Sequence, residues 1–373
     1  MTVRDLPPFR ADHVGSLLRP AALLAAREDH ASRRLSAEDL REVEDAAIRE
    51  VVALQAAAGL RSATDGEFRR TSWHMDFIYR LGGISSSDES IKVKFQNADG
   101  QIEFSAAALQ VDGPVRLRET IFADDFTYLK SVVGPTVTPK LTIPSPSMVH
   151  YRGGPAALNP AVYQDEDQFW QDLSAAYAAQ VGALAELGCK YLQLDDTSLA
   201  YLNDPAQRAE LNARGDDAEH QHLRYIRQIN AALADRPADL RVTTHMCRGN
   251  FRSSWAAEGG YDFVAEALFS ELAVDGFFLE YDDPRSGSFA PLRFVPPGKQ
   301  VVLGLITTKR GELENKDDVK RRIDEASKYV PLDQLCLSPQ CGFSSTVDGN
   351  TLTRDQQLAK LALIVEIAEE VWG

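Results

Sequence analysis

Residues 241–250 read Arg-Val-Thr-Thr-His-Met-Cys-Arg-Gly-Asn and combine a strand pattern with two metal-binding residue types. The β-branched side chains at the start of this stretch favour a buried strand that runs into a polar turn. Alternate side chains of a strand point to the same face, so His245 and Cys247 are predicted to point the same way. They would supply two of the four ligands that zinc prefers, although a buried core histidine and cysteine are the commoner arrangement.

Short strand patterns like this one recur along the chain and alternate with helical segments. Eight strand candidates lie near residues 13, 63, 140, 193, 243, 278, 303 and 336. Near-continuous apolar strands are typical of a parallel sheet that helices cover on both faces. The pattern predicts the α/β class and a (β/α)8 TIM-type barrel. The alternative is a doubly wound open sheet, which would want a glycine-rich phosphate turn, and the sequence contains no G-x-G-x-x-G.

Apolar residues at spacings of three and four predict two long helices. One covers residues 40–58 and ends at Gly59, and the other lies around residues 170–184 and ends at Gly188. Another helix is predicted over residues 255–272. The stretch 82–122 departs from the alternation, because residues 91–95 and 101–104 alternate at period two around Asp99-Gly100, a hairpin signature. With no linker and no internal repeat, residues 1–373 are predicted to form a single domain with an inserted β-hairpin.

Composition excludes several classes of partner. The 373 residues carry a formal net charge of −15, so long-range repulsion argues against nucleic acid and anionic membranes. No uncharged apolar run approaches the roughly 18 residues that a membrane span needs. Residues 1–12 lack the pattern of a secretory signal, and the cytoplasm is the predicted compartment. The sequence leaves open whether the chain forms a homo-oligomer.

Functional side chains of such a barrel gather at the C-terminal ends of the strands. Two thiols, one imidazole and one carboxylate are predicted there, from His245, Cys247, Glu280 and Cys341. A thiolate-rich ligand set favours zinc over magnesium or calcium, which prefer oxygen. We therefore predict one Zn²⁺ on these four residues. Cys189 and Cys336 are predicted to be buried structural thiols.

The charge of the predicted zinc site indicates its chemistry. Two thiolates and a carboxylate exceed the charge of the metal, which makes the site poor at activating water. Such a site is suited to holding a substrate thiol as a nucleophilic thiolate, so thiolate alkylation is the predicted reaction class. A closed structural zinc is the alternative, but its ligands are usually close cysteine pairs in a small domain.

Three other residues are predicted at the same ends of the strands: Ser16, Glu67 and Asp195. Carboxylates beside an anionic metal site need a cation, and the ammonium group of an amino acid would fit. Alternatively, Glu67 and Asp195 would form buried ion pairs with a neighbouring arginine such as Arg69. His13 is predicted either to line the mouth of the barrel or to bond a backbone carbonyl.

Several motifs together resemble the cobalamin-independent methionine synthase family. They are His-Met-Cys at 245–247, Leu-Gln-Leu-Asp-Asp at 192–196, Phe-Leu-Glu at 278–280 and Ser-Pro-Gln-Cys-Gly at 338–342. The similarity covers the catalytic C-terminal barrel of the large enzymes over nearly the whole chain. It is greatest to a short, single-barrel branch, for which Arg-Ala-Asp-His-Val-Gly-Ser at 10–16 and Thr-Asp-Gly-Glu-Phe-Arg-Arg at 64–70 are typical.

The resemblance implies an activity and roles for particular residues. It implies zinc on the four residues named above. It also implies that Ser16, Glu67 and Asp195 hold the amino and carboxyl groups of homocysteine, with Glu67 and Asp195 as the catalytic candidates. The implied reaction is methyl transfer to the zinc-bound thiolate of homocysteine, which gives methionine.

The sequence departs from the family where the large enzymes bind folate. There is no room for their second, N-terminal barrel. Their Asp-x-His pair after the seventh strand is replaced by Thr307-Thr308-Lys309, which leaves open whether Lys309 takes the place of their proton donor. Tyr151 stands near the position of a tryptophan that stacks on folate, and is predicted with His13 to contact substrate. These departures argue against folate as the methyl donor. They leave the donor open between a methyltetrahydropteroyl-glutamate and a smaller or protein-borne donor such as a methylcorrinoid.

Two alternatives to methyl transfer remain at this point. The family also resembles transferases that add coenzyme M to an epoxide, in a lyase-like opening. That reaction requires a pocket for a sulfonate, which Glu67 and Asp195 argue against and which Arg69 and Arg70 leave open. The other alternative is a zinc-binding barrel without catalytic activity, whose metal would have no exchangeable coordination position.

Overall fold

The computed structural model describes residues 6–97 and 100–373, with residues 88–91 and 105–107 described in their backbone only. Its helices and strands alternate over most of the chain. The strands are β1 (Ser62–Ala63), β2 (Gly82–Asn97), β3 (Gly100–Arg116), β4 (Thr138–Pro139), β5 (Leu141–Pro144), β6 (Tyr191–Asp196), β7 (Arg241–Met246), β8 (Gly276–Glu280), β9 (Gln300–Ile306) and β10 (Leu335–Pro339). The helices are α1 (Ala21–Ala31), α2 (Ala37–Ala57), α3 (Met75–Ile78), α4 (Ala123–Val132), α5 (Ser147–Gly153), α6 (Glu166–Glu186), α7 (Ser198–Tyr201), α8 (Pro205–Ala213), α9 (Gln221–Leu233), α10 (Ala265–Glu271), α11 (Lys316–Ala326) and α12 (Arg354–Trp372).

The predicted (β/α)8 TIM-type barrel is confirmed. Strands β5 to β10 form one parallel sheet in chain order. On one side of this sheet, β1 pairs with β4, which leads directly into β5. On the other side, a parallel bridge joins Ala11 to Leu337 of β10. A backbone hydrogen bond from Leu17 to Gly66 links the two ends, so the sheet closes on itself.

The strands are buried because helices cover the outside of the sheet. Every residue of β6, β8, β9 and β10 is buried, as near-continuous apolar runs predict. Helix α6 places Trp170, Leu173, Tyr177, Val181 and Leu184 against the barrel, which confirms the predicted stripe. Gly188 then takes a positive φ of 91°, a conformation that ends the helix and that glycine adopts without strain.

The inserted hairpin is also confirmed, and its strands are longer than the sequence pattern indicated. β2 pairs with β3 in antiparallel register from Gly82↔Arg116 to Asn97↔Gly100. The predicted turn residue Asp99 lies outside the described residues. Near its tip the hairpin joins the loop after β7, where Gln96 and Trp255 exchange backbone hydrogen bonds of 2.7 and 2.9 Å. The hairpin therefore extends over the C-terminal ends of the barrel strands.

Two local predictions were wrong. The helix predicted over residues 255–272 begins only at Ala265, because Trp255 pairs with the hairpin and Gly259 has a φ of 105°. The segment predicted as a strand near residue 13 contributes only the bridge at Ala11, since the side chain of Asp12 bonds the backbone N–H groups of Phe9 and His13. In the part of the chain that the structure describes, no helix is both long and apolar enough to span a bilayer.

Candidate metal and substrate site

Three of the four predicted zinc ligands meet at one point above the barrel. Each of His245, Cys247 and Cys341 offers a ligand atom, and these atoms all lie within 4.8 Å of one another. The two sulfur atoms are 3.3 Å apart, and both cysteines are free thiols. All three side chains are buried. An imidazole and two thiols at this spacing are a donor set that suits zinc.

The loop after β7 holds Cys247 by its backbone. The N–H of Cys247 donates to the carbonyl of Asp196 at 3.0 Å, and the N–H of Gly249 donates to Cys247 Sγ at 3.3 Å. Gly249 has a φ of 92°, and a Cβ there would lie 2.7 Å from the hydroxyl of Tyr201. Only glycine fits this turn, which brings the chain back over the thiol.

The loop after β10 brings Cys341 against the first barrel segment. A Cβ on Gly342 would lie 1.9 Å from Ser16 Oγ, so the absence of a side chain permits this approach. Ser16 Oγ accepts a hydrogen bond from the N–H of Ser344 at 3.3 Å, and the N–H of Phe343 donates to the carbonyl of Ser16. The predicted substrate residue Ser16 and the predicted ligand Cys341 are thus fixed side by side.

The two thiols differ in how easily they ionise. Contact with the Cys247 thiol, together with the nearby His245, holds the pKa of Cys341 well below its ordinary value despite burial. The same contact, together with burial, raises the pKa of Cys247. Burial lowers the pKa of His245, but the neighbouring Cys341 and the carboxylates of Asp195 and Glu280 outweigh burial and raise it. Of the two thiols, Cys341 is thus the one whose ionisation its surroundings favour.

The carboxylate of Glu280 is held by cations and does not belong to the group of ligand atoms within 4.8 Å. Its oxygen Oε1 lies 2.7 Å from the guanidinium of Arg285 and 3.0 Å from Lys309 Nζ. Its other oxygen accepts the N–H of Arg248 at 2.7 Å. Burial opposes ionisation of Glu280, but Lys309 and Arg285 outweigh it and hold its pKa well below the ordinary range. Metal coordination by Glu280 stays a prediction.

A cavity of about 440 Å³ opens directly over the cysteine pair. Its inner wall carries the predicted site residues Ser16, Glu67, Asp195, His245, Cys247 and Cys341. Its outer wall was not predicted from the sequence. The hairpin contributes Val93, Phe95 and Phe104 to that wall, the segment before α3 contributes Trp73 and His74, and α5 contributes Arg152. The volume falls within the roughly 300–1,000 Å³ of small-molecule sites.

Glu67 and Asp195 are buried carboxylates that line this cavity. Thr142 donates to Glu67 Oε1 at 2.8 Å, and Gln193 donates to Asp195 Oδ1 at 2.6 Å. Burial raises the pKa of Glu67, and burial together with the charge of Glu67 raises the pKa of Asp195 to about 7. Two carboxylates with raised pKa values in one cavity favour a bound cation.

The arginine beside these carboxylates is Arg70, and the prediction of Arg69 was wrong. Arg70 Nη1 lies 3.7 Å from Glu67 Oε1 and donates to Thr142. Arg69 points to the other side of the segment, where it pairs with Glu44 and Asp45. Glu67 itself has a φ of 61°, so the backbone turns sharply just before these two arginines.

Neither His13 nor Tyr151 lines the cavity as the structure describes it. His13 is buried inside the barrel, where burial and the charge of Lys140 lower its pKa to about 4. The Tyr151 hydroxyl donates to Gln207 of α8 at 2.9 Å. Lys309 is also absent from the cavity wall, because it turns toward Glu280 and Asp282. Substrate contacts by His13 and Tyr151 stay predictions without support from the geometry.

Comparison with known proteins identifies the family. The family model described as the catalytic domain of cobalamin-independent synthase matches residues 9–370. The chain belongs to this family. Membership of the cobalamin-independent synthase family agrees with the barrel fold described above.

Relatives within the cobalamin-independent synthase family differ in how they are described. The uncharacterized protein YxjG of Bacillus subtilis is 48% identical over 371 residues, which is 99% of this chain and 96% of that protein. A methionine synthase of Saccharolobus solfataricus is 25% identical and covers 97% of this chain and 94% of its own. The crystal structure of a Listeria monocytogenes protein, described as a vitamin-B12 independent methionine synthase, is 38% identical with a TM-score of 0.79 and 99% coverage of both chains.

Proposed function

We propose that the protein is a zinc-dependent S-methyltransferase that methylates homocysteine to methionine. The observation that carries the proposal is the cluster of His245, Cys247 and Cys341 at the floor of a cavity that also contains Glu67 and Asp195. Homocysteine carries a thiol, which matches the cluster of His245, Cys247 and Cys341, and an ammonium group, which matches the carboxylates of Glu67 and Asp195. The name of the Saccharolobus solfataricus relative supports the same substrate.

The residues of the chain have separate tasks in this reaction. His245, Cys247 and Cys341, with Glu280 as the fourth predicted ligand, would hold a zinc ion that supplies the positive charge needed to keep the homocysteine sulfur ionised. Glu67 and Asp195 bind the ammonium group, and Ser16 bonds the amino-acid end near Cys341. The thiolate sulfur then forms a bond to the methyl carbon. The bond from that carbon to the donor breaks, and the leaving atom of the donor keeps the electron pair.

We also propose that residues 1–373 form one catalytic domain and that coenzyme M is not the thiol substrate. Residues of the cavity wall run from Val14 to Asp348, which supports one catalytic domain over residues 1–373. Addition of coenzyme M to an epoxide would place a sulfonate near the thiols. The carboxylates of Glu67 and Asp195 would repel it there, whereas they attract an amino acid.

A donor panel with the variant Cys341→Ser tests the proposed function. Zinc-loaded protein is incubated with homocysteine and either methyltetrahydropteroyl-glutamate or a methylcorrinoid, and methionine is quantified. We expect methionine from one donor, and a parallel loss of bound zinc and activity in Cys341→Ser. Cys336→Ser is the matched control, because Cys336 is buried inside β10 away from the cavity. Turnover without zinc, or turnover of an epoxide with coenzyme M alone, would contradict the proposal.

A further inference from the structure

The outer half of the cavity contains a cation that has no counterion among the residues the structure describes. Arg152 of α5 lines the cavity, and its Nε is buried without a hydrogen-bond partner among the described residues. In the described part of the chain, Arg152 also forms no ion pair with a carboxylate within 4.0 Å. A guanidinium that is partly desolvated and unpaired is costly, so its place at a cavity wall indicates a ligand that pairs with it.

The carboxylates on the same wall are already satisfied. Asp76 accepts the N–H of Thr71 at 2.6 Å, and Asp348 pairs with Arg252 at 2.7 Å. Asp196 accepts two hydroxyl groups and the N–H of Leu199. Arg152 therefore does not compensate an acidic group of the protein.

His74 supplies a second donor beside Arg152. It is 7% exposed, and its Nε2 has no hydrogen-bond partner in the described structure. Its Nδ1 lies 3.1 Å from Ser72 Oγ, which also accepts the N–H of Met75. The Ser72 hydroxyl is thus free to donate to Nδ1, which leaves the proton of the neutral imidazole on Nε2. Burial and the charge of Arg152 hold the pKa of His74 well below its ordinary value, so the ring stays neutral.

The remaining outer wall is aromatic. Phe95 and Phe104 of the hairpin pack against Phe251 with ring centroids 5.5 and 4.6 Å away, and Trp73 lies over His74 at 4.4 Å. All of these rings line the same cavity. Aromatic walls with a convergent guanidinium and one N–H donor are suited to a flat, apolar molecule that carries one anionic group.

Building on the proposed function, we propose that Arg152 and His74 form an anion subsite for the methyl donor, which is a compact organic anion with a flat, apolar body. The amino-acid thiol occupies the inner end, near Glu67 and Asp195, and the donor lies between it and the hairpin. This arrangement places the two substrates in contact in a single cavity of about 440 Å³. It favours a small donor over a corrin macrocycle.

Binding of two matched probes tests this subsite without requiring turnover. 4-Aminobenzoate and 4-aminobenzamide have the same flat body, and only the first is an anion at pH 7. Calorimetric titration of the zinc-loaded protein is expected to show at least about tenfold tighter binding of the anion. In Arg152→Gln the preference should fall to about twofold or less, and His74→Phe should reduce it in the same direction. Arg80→Gln is the control, because Arg80 lies outside the cavity and pairs with Glu119 at the surface.

A measurement of homocysteine affinity distinguishes the anion subsite at Arg152 from the position where the amino acid binds. In cobalt-substituted protein, thiolate binding changes the visible absorption, and Arg152→Gln should leave the homocysteine titration unchanged within about twofold. A large loss of homocysteine affinity in Arg152→Gln would overturn the subsite, because it would place the amino-acid carboxylate there. Binding of both probes alike, or of neither, would also overturn it. Failure of the wild-type protein to bind homocysteine would instead refute the proposed function.

Discussion

Gly342 determines how closely the loop of Cys341 approaches the first barrel segment. In Gly342→Ala the new methyl group would meet Ser16 Oγ at 1.9 Å, so the loop must move. We expect a loss of about 1–3 kcal/mol in the free energy of unfolding, which is typical of an overpacked site. We also expect weaker zinc retention against a chelator. Urea denaturation and a competition titration measure the two effects.

Gly182→Ala is the matched control for this substitution. Gly182 lies within α6, and a Cβ there meets nothing within 4 Å. Alanine is the better helix former by roughly 1 kcal/mol, so this variant should be as stable as the wild type or more so. If Gly342→Ala retained both zinc and stability, the close contact with Ser16 would not be what positions Cys341.

At the scale of single residues, the sequence predicted the three residues of the cluster and the carboxylates of the cavity, but not the ion pairs around Glu280 or the positions of His13 and Tyr151. His245, Cys247 and Cys341 were found from residue type and from their places at strand ends. The cations on Glu280 were missed, because Lys309 and Arg285 follow different strands and no local spacing links them. Arg152 and His74 were missed for the same reason.

The hairpin of β2 and β3 is the element that closes the outer side of the cavity. Phe95 contributes to its attachment to the barrel, because its ring packs against Phe251 of the loop after β7 and against Phe104 within the hairpin. Phe95→Ala removes two aromatic pairs, each worth about 0.5–1.5 kcal/mol beyond buried area. We therefore expect faster amide exchange in residues 92–97 and 100–104, by roughly tenfold or more, while zinc binding is retained.

Lys94→Ala provides the comparison for the hairpin. Lys94 is the neighbour of Phe95 on the exposed face, so its removal should leave amide exchange nearly unchanged. Equal exchange in the two variants would show that the phenylalanine cluster does not hold the hairpin over the cavity.

Elements with a strong internal period were predicted well, and those defined by distant contacts were not. α6 and the hairpin both follow from apolar periodicity. The wrong helix over residues 255–264 has a tertiary cause, because Trp255 pairs with Gln96, about 160 residues earlier in the chain. Such a pairing leaves no local signal in the sequence.

At the scale of the whole molecule, an ion pair inside the barrel is the least expected feature. Lys140 is 1% exposed, and its Nζ lies 3.5 Å from Asp12 and 4.1 Å from the ring centre of Phe278. Lys140→Met would leave the Asp12 carboxylate buried without its cation. We expect a loss of about 3–5 kcal/mol in the free energy of unfolding, measured by urea denaturation.

Lys190→Met is the control for the buried pair. The side chains of Lys190 and its partner Asp239 are half exposed or more, so this substitution should cost at most about 1 kcal/mol. Similar small losses in both variants would mean that the interior pair contributes little to the barrel. The fold class could be predicted from the sequence, because eight strand patterns alternate with helical segments. The buried pair of Lys140 and Asp12 could not be predicted, because it forms only when the first segment of the chain closes the sheet.

Zinc X-ray absorption with and without homocysteine tests the central claim most directly. The zinc-loaded protein should show two sulfur ligands at about 2.3 Å, from Cys247 and Cys341. Addition of homocysteine should raise the number to three, as the substrate sulfur replaces a nitrogen or oxygen ligand. A sulfur count that stays at two, with homocysteine present at saturating concentration, would contradict the account.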